Sequence, residues 1–179
     1  MRKNESQKIA LCGVLGALSV VCLLAGAALQ IGTYAAPMLA SFLLIPVMEE
    51  YGARYALLLY ATTAVLGLLL VPETELALFY ALVVGYYPVL RHALRRVKPV
   101  VLRWAVKLAV FNAATALVYF LLFALVGPAI LQEMLADGPG MAALLLAMGN
   151  LSFFLCDRAL GAVTICYRRV LRRRVRRFF

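Results

Sequence analysis

The sequence predicts an all-α integral membrane protein, a compact bundle of six transmembrane helices in a single domain over residues 1–179, with both termini in the cytoplasm. The first observation behind this prediction is composition: 65% of the 179 residues are apolar, 15% are charged, and the mean hydropathy is +0.95. A soluble domain is nearer ~45–50% apolar and ~25% charged. A chain of 19.6 kDa has too little interior to hide that excess, so lipid must solvate most of it.

The second observation is a series of six apolar segments, none of which alternates as a barrel strand would, so helices are predicted throughout. The first segment is about 21 residues long and covers roughly 32 Å as a helix, enough to cross the hydrocarbon of a bilayer. The second is short, and Pro37 and Pro46 with the nearby Gly32 predict a kinked or partly unwound helix. The predicted spans are residues 9–29, 31–48, 55–71, 76–90, 100–126 and 141–167.

The third observation is where the basic residues lie, given a net charge of +10. The N-terminus and the connections after the second, fourth and sixth spans carry Lys or Arg, whereas the other three connections carry none. This positive-inside pattern places both termini in the cytoplasm, and a re-entrant second segment would break it. The Arg-rich tail, residues 168–179, is interpreted as a cytoplasmic anchor that touches anionic lipid rather than as a nucleic-acid-binding segment.

Ionisable residues inside the predicted spans are the first candidates for function, because burying charge in hydrocarbon is expensive. Lys107 and Asp157 lie at similar depths from the same side, so a Lys107–Asp157 pair, or Asp157 with Arg103, would lower that cost. Arg158 is expected to snorkel to the interface. The pair is interpreted either as a structural pin between two helices or as part of a proton or ion relay, and the sequence leaves both open.

A second group of polar and aromatic residues is expected near the outer face. It forms either a small-molecule pocket or an ordinary interfacial aromatic belt. Asn150 is its strongest member, because an amide inside a span needs a partner. The group comprises Gln30, Thr33, Tyr34, Glu75, Phe79, Tyr80, Tyr119 and Asn150.

No catalytic site, metal site or cofactor is predicted. Glu49 and Glu50 resemble the paired carboxylates of some intramembrane proteases, but that chemistry needs histidines, and His92 is the single histidine in the chain. The sequence holds no GxSxG and no Walker motif, so a partner would have to supply energy from ATP.

The first predicted helix follows Lys8-Ile9-Ala10-Leu11 and carries a small-xxx-small pair, Gly13 and Ala17, which would let another helix approach closely. The chain as a whole resembles the S component of an energy-coupling factor vitamin transporter. The shared features are six spans, about 180 residues, cytoplasmic termini, a kinked second segment and small residues on the first helix. The resemblance covers nearly the whole chain and rests on architecture, without a diagnostic motif. That family carries Ala-xxx-Ala in its first helix, where this chain has Gly13 and Ala17.

The resemblance implies a substrate-capturing subunit, not an enzyme, in a bacterial cell membrane. Its partners would be a transmembrane coupling protein and two cytoplasmic ATPases, and its substrate a vitamin or related micronutrient. Gly13 and Ala17 would dock the coupling protein, and Thr33, Tyr34, Tyr80 and Asn150 would bind substrate. The alternative is a non-transporting scaffold that recruits a partner to its basic cytoplasmic face. A stand-alone carrier built on an inverted repeat is disfavoured, because the two halves show no clear similarity.

Overall fold

The computed structural model describes residues 2–29, 34–95, 99–126 and 138–171, and every regular element in these ranges is helical. We number the α-helices in chain order and name the two π-helical segments separately. The α-helices are α1 (Arg2–Leu29), α2 (Ala35–Phe42), α3 (Leu44–Tyr51), α4 (Ala53–Leu70), α5 (Thr74–Phe79), α6 (Tyr87–Leu94), α7 (Val100–Val126) and α8 (Gly138–Cys166), and the π segments are Tyr80–Val84 and Tyr167–Leu171.

Five helical stretches in the described part of the chain are long and apolar enough to cross a membrane: Glu5–Leu29, Ala53–Leu70, Thr74–Leu94, Val100–Leu125 and Leu146–Val170. Large apolar side chains on these stretches face outward, among them Leu69, 76% exposed, and Val101, 82% exposed. In water such surface would be costly, whereas in lipid it is the expected exterior. The predicted all-helical fold is therefore confirmed, and the helices indicate a multi-pass membrane protein.

The second predicted span is not one helix of spanning length but two short helices, α2 and α3, and this corrects the single span expected over residues 31–48. The break falls at Leu43, where Pro46 has no N–H to donate to the carbonyl of Phe42. Residues 31–33 lie outside the described part. Both short helices are well buried, and Ala40, Leu44, Ile45 and Val47 have no exposed surface.

Contacts at both ends show that α2 and α3 run back along α1. Near the end of α1, an added Cβ at Gly26 would clash with Ala36 Cβ, so the two backbones meet closely there. Near its start, the Lys8 ammonium lies 5.9 Å and 5.4 Å from the ring centroids of Tyr51 and Tyr55. The pair α2–α3 therefore covers most of the length of α1.

The stretch from α5 to α6 is the most buried of the five; it includes the span predicted over residues 76–90 and contains a π segment, Tyr80–Val84, followed by a turn. The N–H of Gly85 donates to the carbonyl of Tyr80 at 2.8 Å, and the carbonyl of Ala81 accepts from the Tyr60 hydroxyl. An added Cβ at Gly85 would lie 2.7 Å from the Tyr60 ring. Tyr60 of α4 thus packs directly against this break, and Pro88, which has no N–H to donate to the carbonyl of Val84, follows it.

Candidate functional site

The site with the strongest polar chemistry in the described chain is centred on Asp157, a buried carboxylate in α8. The predicted contact with Lys107 is present: the Lys107 Nζ–Asp157 Oδ1 distance is 2.7 Å, and the two residues are 4% and 3% exposed. Two further donors reach the same oxygen, the Tyr87 hydroxyl at 2.6 Å and Arg91 Nε at 2.9 Å. Three donors from α6 and α7 therefore converge on one oxygen of α8.

Helical spacing explains why α6 supplies two of these donors. Tyr87 and Arg91 are four residues apart, so their side chains leave the same face of α6 one turn apart. Gly161, one turn beyond Asp157, leaves room for the guanidinium, because a Cβ there would lie 2.8 Å from Arg91 Nη2. Sequence reasoning placed Arg91 in a loop and did not single out Tyr87. The i, i+4 spacing of the two residues is the signal that points to both.

An aromatic pair extends the site outward along α7 and α8. The Lys107 ammonium lies 4.7 Å from the centroid of the Trp104 ring, which stacks on Phe154 at 5.3 Å. Arg158 is exposed, and its guanidinium lies 5.0 Å from the centroid of the Phe154 ring. Trp104 was not singled out from the sequence, although its three-residue spacing from Lys107 places both on one helix face.

Three successive contacts tie α7 to α8 as antiparallel neighbours, and we call them the α7–α8 ladder. The first is Lys107–Asp157. The second is the stacked pair Phe111–Phe153, with ring centroids 4.4 Å apart. The third is Asn112–Asn150, whose side-chain amides donate to each other at 3.1 Å and 3.2 Å.

Asn150 is therefore held by a protein partner. Its amide nitrogen also donates to the Leu146 carbonyl at 2.8 Å, and that of Asn112 donates to the Leu108 carbonyl at 2.9 Å. The expectation that an intramembrane amide has a partner is met, and the partner is another helix of the same chain.

The other predicted substrate-binding residues are not brought together in the described part of the chain. Tyr34 is half-exposed, donates to Glu75 Oε1 at 2.8 Å and packs edge-on against Phe79. Tyr80, with no exposed surface, packs in the core near Tyr60. Thr33 lies outside the described residues.

The small pair on α1 is turned away from the helices that the structure describes. Both Gly13 and Ala17 are exposed, and an added Cβ at Gly13 would meet nothing within 4 Å. Gly16 and Gly26 instead face inward, towards Leu59 and Ala36. One helix thus uses separate glycines for internal packing and for its outer surface.

The basic residues of several connections meet at one end of the bundle, which we call the basic end. Arg168, just past α8, binds Glu49 of α3 through two bonds of 2.7 Å and 2.8 Å. The Lys8 ammonium lies over the aromatic rings on either side of the turn between α3 and α4. Arg91 of α6 forms an ion pair with Asp157 of α8. Glu49 is therefore an ion-pair partner here. In the described residues, no three His, Cys, Asp or Glu side chains cluster as a metal site would require.

Fold and site together define a class: among the described residues, an all-helical protein whose long apolar helices indicate several membrane crossings and whose buried charges, Lys107 and Asp157, pair with each other. Comparison with protein-family models, with curated proteins and with solved structures gives no significant match to this chain. Any assignment more specific than this class therefore depends on the residues themselves.

Proposed function

We propose that this chain is the substrate-capturing membrane subunit of an energy-coupling-factor-type importer in a bacterial cell membrane, with a vitamin or related micronutrient as substrate. It crosses the membrane six times, with both termini in the cytoplasm. A transmembrane coupling protein docks on α1, and two cytoplasmic ATPases supply the energy.

The six-crossing topology is supported by the path of α2 and α3. These helices accompany α1 from Gly26–Ala36 at one end to Lys8–Tyr51 at the other, so the chain returns to the side on which it began. The basic end then gathers the cationic connections on that side, as the positive-inside rule requires. Among the described residues, the opposite end carries Tyr34 in contact with both Glu75 and Phe79, a polar and aromatic group suited to capturing a small molecule from outside.

The observation that carries the proposal is the outward-facing pair Gly13 and Ala17 on α1. In lipid, helices associate through close backbone approach and hydrogen bonds, and small residues permit that approach. The helices in the described part of the chain do not cover the pair. A helix of a coupling protein is the partner we assign to it.

The test is co-purification of the full chain with a coupling protein and ATPases from the same cells, followed by mass spectrometry of bound small molecules. Gly13→Leu should abolish the complex while leaving the monomer folded, because the leucine side chain would hold the partner helix away. Ala109→Leu is the matched control: Ala109 is an exposed alanine on α7, and its enlargement should leave the complex intact.

Full assembly of Gly13→Leu would show that α1 does not dock through this pair. If the parent protein yields neither partner nor small molecule, the importer proposal is wrong and a scaffold at the basic end becomes the better assignment. Arg168–Glu49 and Lys8–Tyr51 would then be the contacts that shape the recruiting surface.

A further inference from the structure

A recess of about 140 Å³ opens beside the Asp157 centre at the basic end of the bundle. By the same kind of volume, a single water needs roughly 10–15 Å³, so the recess has room for a polyatomic group. The side chains lining it come from α6, from the residue after it, and from α7 and α8. They are Arg91, Arg95, Arg103, Trp104, Lys107 and Asp157.

The recess has an excess of positive charge. Four cations line it, and Asp157 is the one carboxylate in its described lining. Arg91 and Lys107 share a single oxygen of that carboxylate, and Arg91 and Arg103 both repel the Lys107 ammonium. Within the part of the chain that the structure describes, the side chains of Arg95 and Arg103 form no ion pair. Charges gathered in a partly desolvated place are unfavourable unless counter-charge joins them.

The hydrogen-bond donors in the recess are also only partly used. In the described contacts, Arg91 gives its Nε–H to Asp157, and Lys107 gives one of its three N–H groups. Planar guanidinium groups match the oxygens of phosphate in pairs, and arginine is the residue that such recognition favours. Three arginines and a lysine around one small opening provide more positive charge than a single carboxylate ligand would balance.

We propose that this recess binds a phosphate group, held by Arg95 and Arg103 at its mouth and by Arg91 and Lys107 at its base. The phosphate belongs either to the headgroup of an anionic phospholipid or to a small soluble phosphate compound. The inference is independent of the proposed transport function, because it concerns the basic end and uses neither α1 nor the Tyr34 group.

Trp104 gives a direct measurement, because it is the only tryptophan in the chain and it lines the recess. The full-length protein is placed in phosphatidylcholine nanodiscs, and Trp104 fluorescence is followed during titration with inorganic phosphate at constant ionic strength. In a second arm, without free phosphate, the nanodiscs contain an increasing fraction of phosphatidic acid. A saturable change in the first arm supports a soluble phosphate, and one in the second arm alone supports a lipid headgroup.

The variants Arg103→Gln and Arg95→Gln should each raise the dissociation constant of the saturable fluorescence change about tenfold or more. This is the loss of affinity expected when a charge-assisted hydrogen bond is removed. Arg54→Gln is the matched control. It removes the same charge from an exposed residue at the basic end that does not line the recess, and its response should match the parent's. As a check of folding, each variant must keep the parent's ligand-free fluorescence emission maximum and its elution volume in size-exclusion chromatography. Two independent recess variants are used in case one of them misfolds.

The proposal is overturned if neither arm gives a saturable change. It is also overturned if Arg54→Gln weakens the response as much as the two recess variants do, because the effect would then report general charge at the basic end.

Discussion

One carboxylate oxygen of Asp157 accepts hydrogen bonds from three donors, two of which are positively charged. The interhelical contacts at this site therefore depend on a single acidic residue. Lys107 and Asp157 are 4% and 3% exposed, so most of their contact is with protein and each charge depends on its partner. Removing one member of a buried pair leaves the other as an uncompensated charge, which is far more destabilising than replacing both.

Asp157→Asn should therefore lower the free energy of unfolding by about 3–5 kcal/mol, because the Lys107 ammonium loses its counter-charge. Reversible unfolding in mixed detergent micelles measures the loss. Arg158→Gln, which changes the exposed neighbouring residue, should alter stability by less than about 0.5 kcal/mol. Replacing the pair together, as Lys107→Met with Asp157→Leu, should recover only part of the loss, because Arg91 and Tyr87 still lose their shared acceptor. An Asp157→Asn protein as stable as the parent would contradict the structural importance of the pair.

The amide pair Asn112–Asn150 supports a second prediction at the scale of single residues. A double-mutant cycle with Asn112→Ala and Asn150→Ala should give a coupling energy of about 0.6 kcal/mol, and no more than about 1.7 kcal/mol, the range found between membrane helices. The value is modest because each amide also bonds to a carbonyl of its own helix. Strictly additive losses of stability would mean that the two amides do not act on each other.

At the scale of elements, both breaks lie just before a proline. Pro46 cannot donate to the carbonyl of Phe42, and Pro88 cannot donate to the carbonyl of Val84. The prolines of the second segment are the reason that the sequence predicted a kink there. At the second break Tyr60 of α4 adds a tertiary contact, because it donates to the Ala81 carbonyl and packs against Gly85. The sequence did not indicate that contact.

Gly85→Ala should destabilise the protein by about 1–3 kcal/mol, because the added methyl group would meet both the Tyr60 ring and the Tyr80 carbonyl at 2.7 Å. Gly149→Ala is the control: it adds the same group within α8, where nothing lies within 4 Å, and alanine favours a helix by about 1 kcal/mol. Thermal unfolding compares the two. Equal or increased stability of Gly85→Ala would mean that the close approach of Tyr60 is not required.

At the scale of the whole molecule, the sequence predicted the helices and the Lys107–Asp157 contact, since depth along a span can be counted from the basic residues that mark its end. It could not predict which face of each helix points inward. In lipid the exterior is as apolar as the core, so hydrophobic periodicity does not separate the two. The buried position of Tyr80 was inaccessible for this reason, and only the family resemblance, not periodicity, suggested an outward position for Gly13.

The proposed six-crossing topology predicts where single cysteines react. In a background with the four native cysteines replaced by alanine, Arg54→Cys should be inaccessible to a membrane-impermeant maleimide in intact cells and reactive in inside-out vesicles. Pro72→Cys, at the turn after α4, should behave in the opposite way. Labelling of Arg54→Cys in intact cells would show that α2 and α3 do not cross, and the six-span assignment would fail.

The α7–α8 ladder has a mechanical consequence. A slide of α8 by one turn, about 5.4 Å, would set Phe153 against Lys107 in one direction, or Asp157 against Phe111 in the other. Because its rungs are an ion pair, an aromatic stack and an amide pair, no shifted register satisfies all three. We therefore expect α7 and α8 to move as one rigid body. Any rearrangement of the bundle then falls to the places where its helices are already broken, at Leu43 and around Gly85.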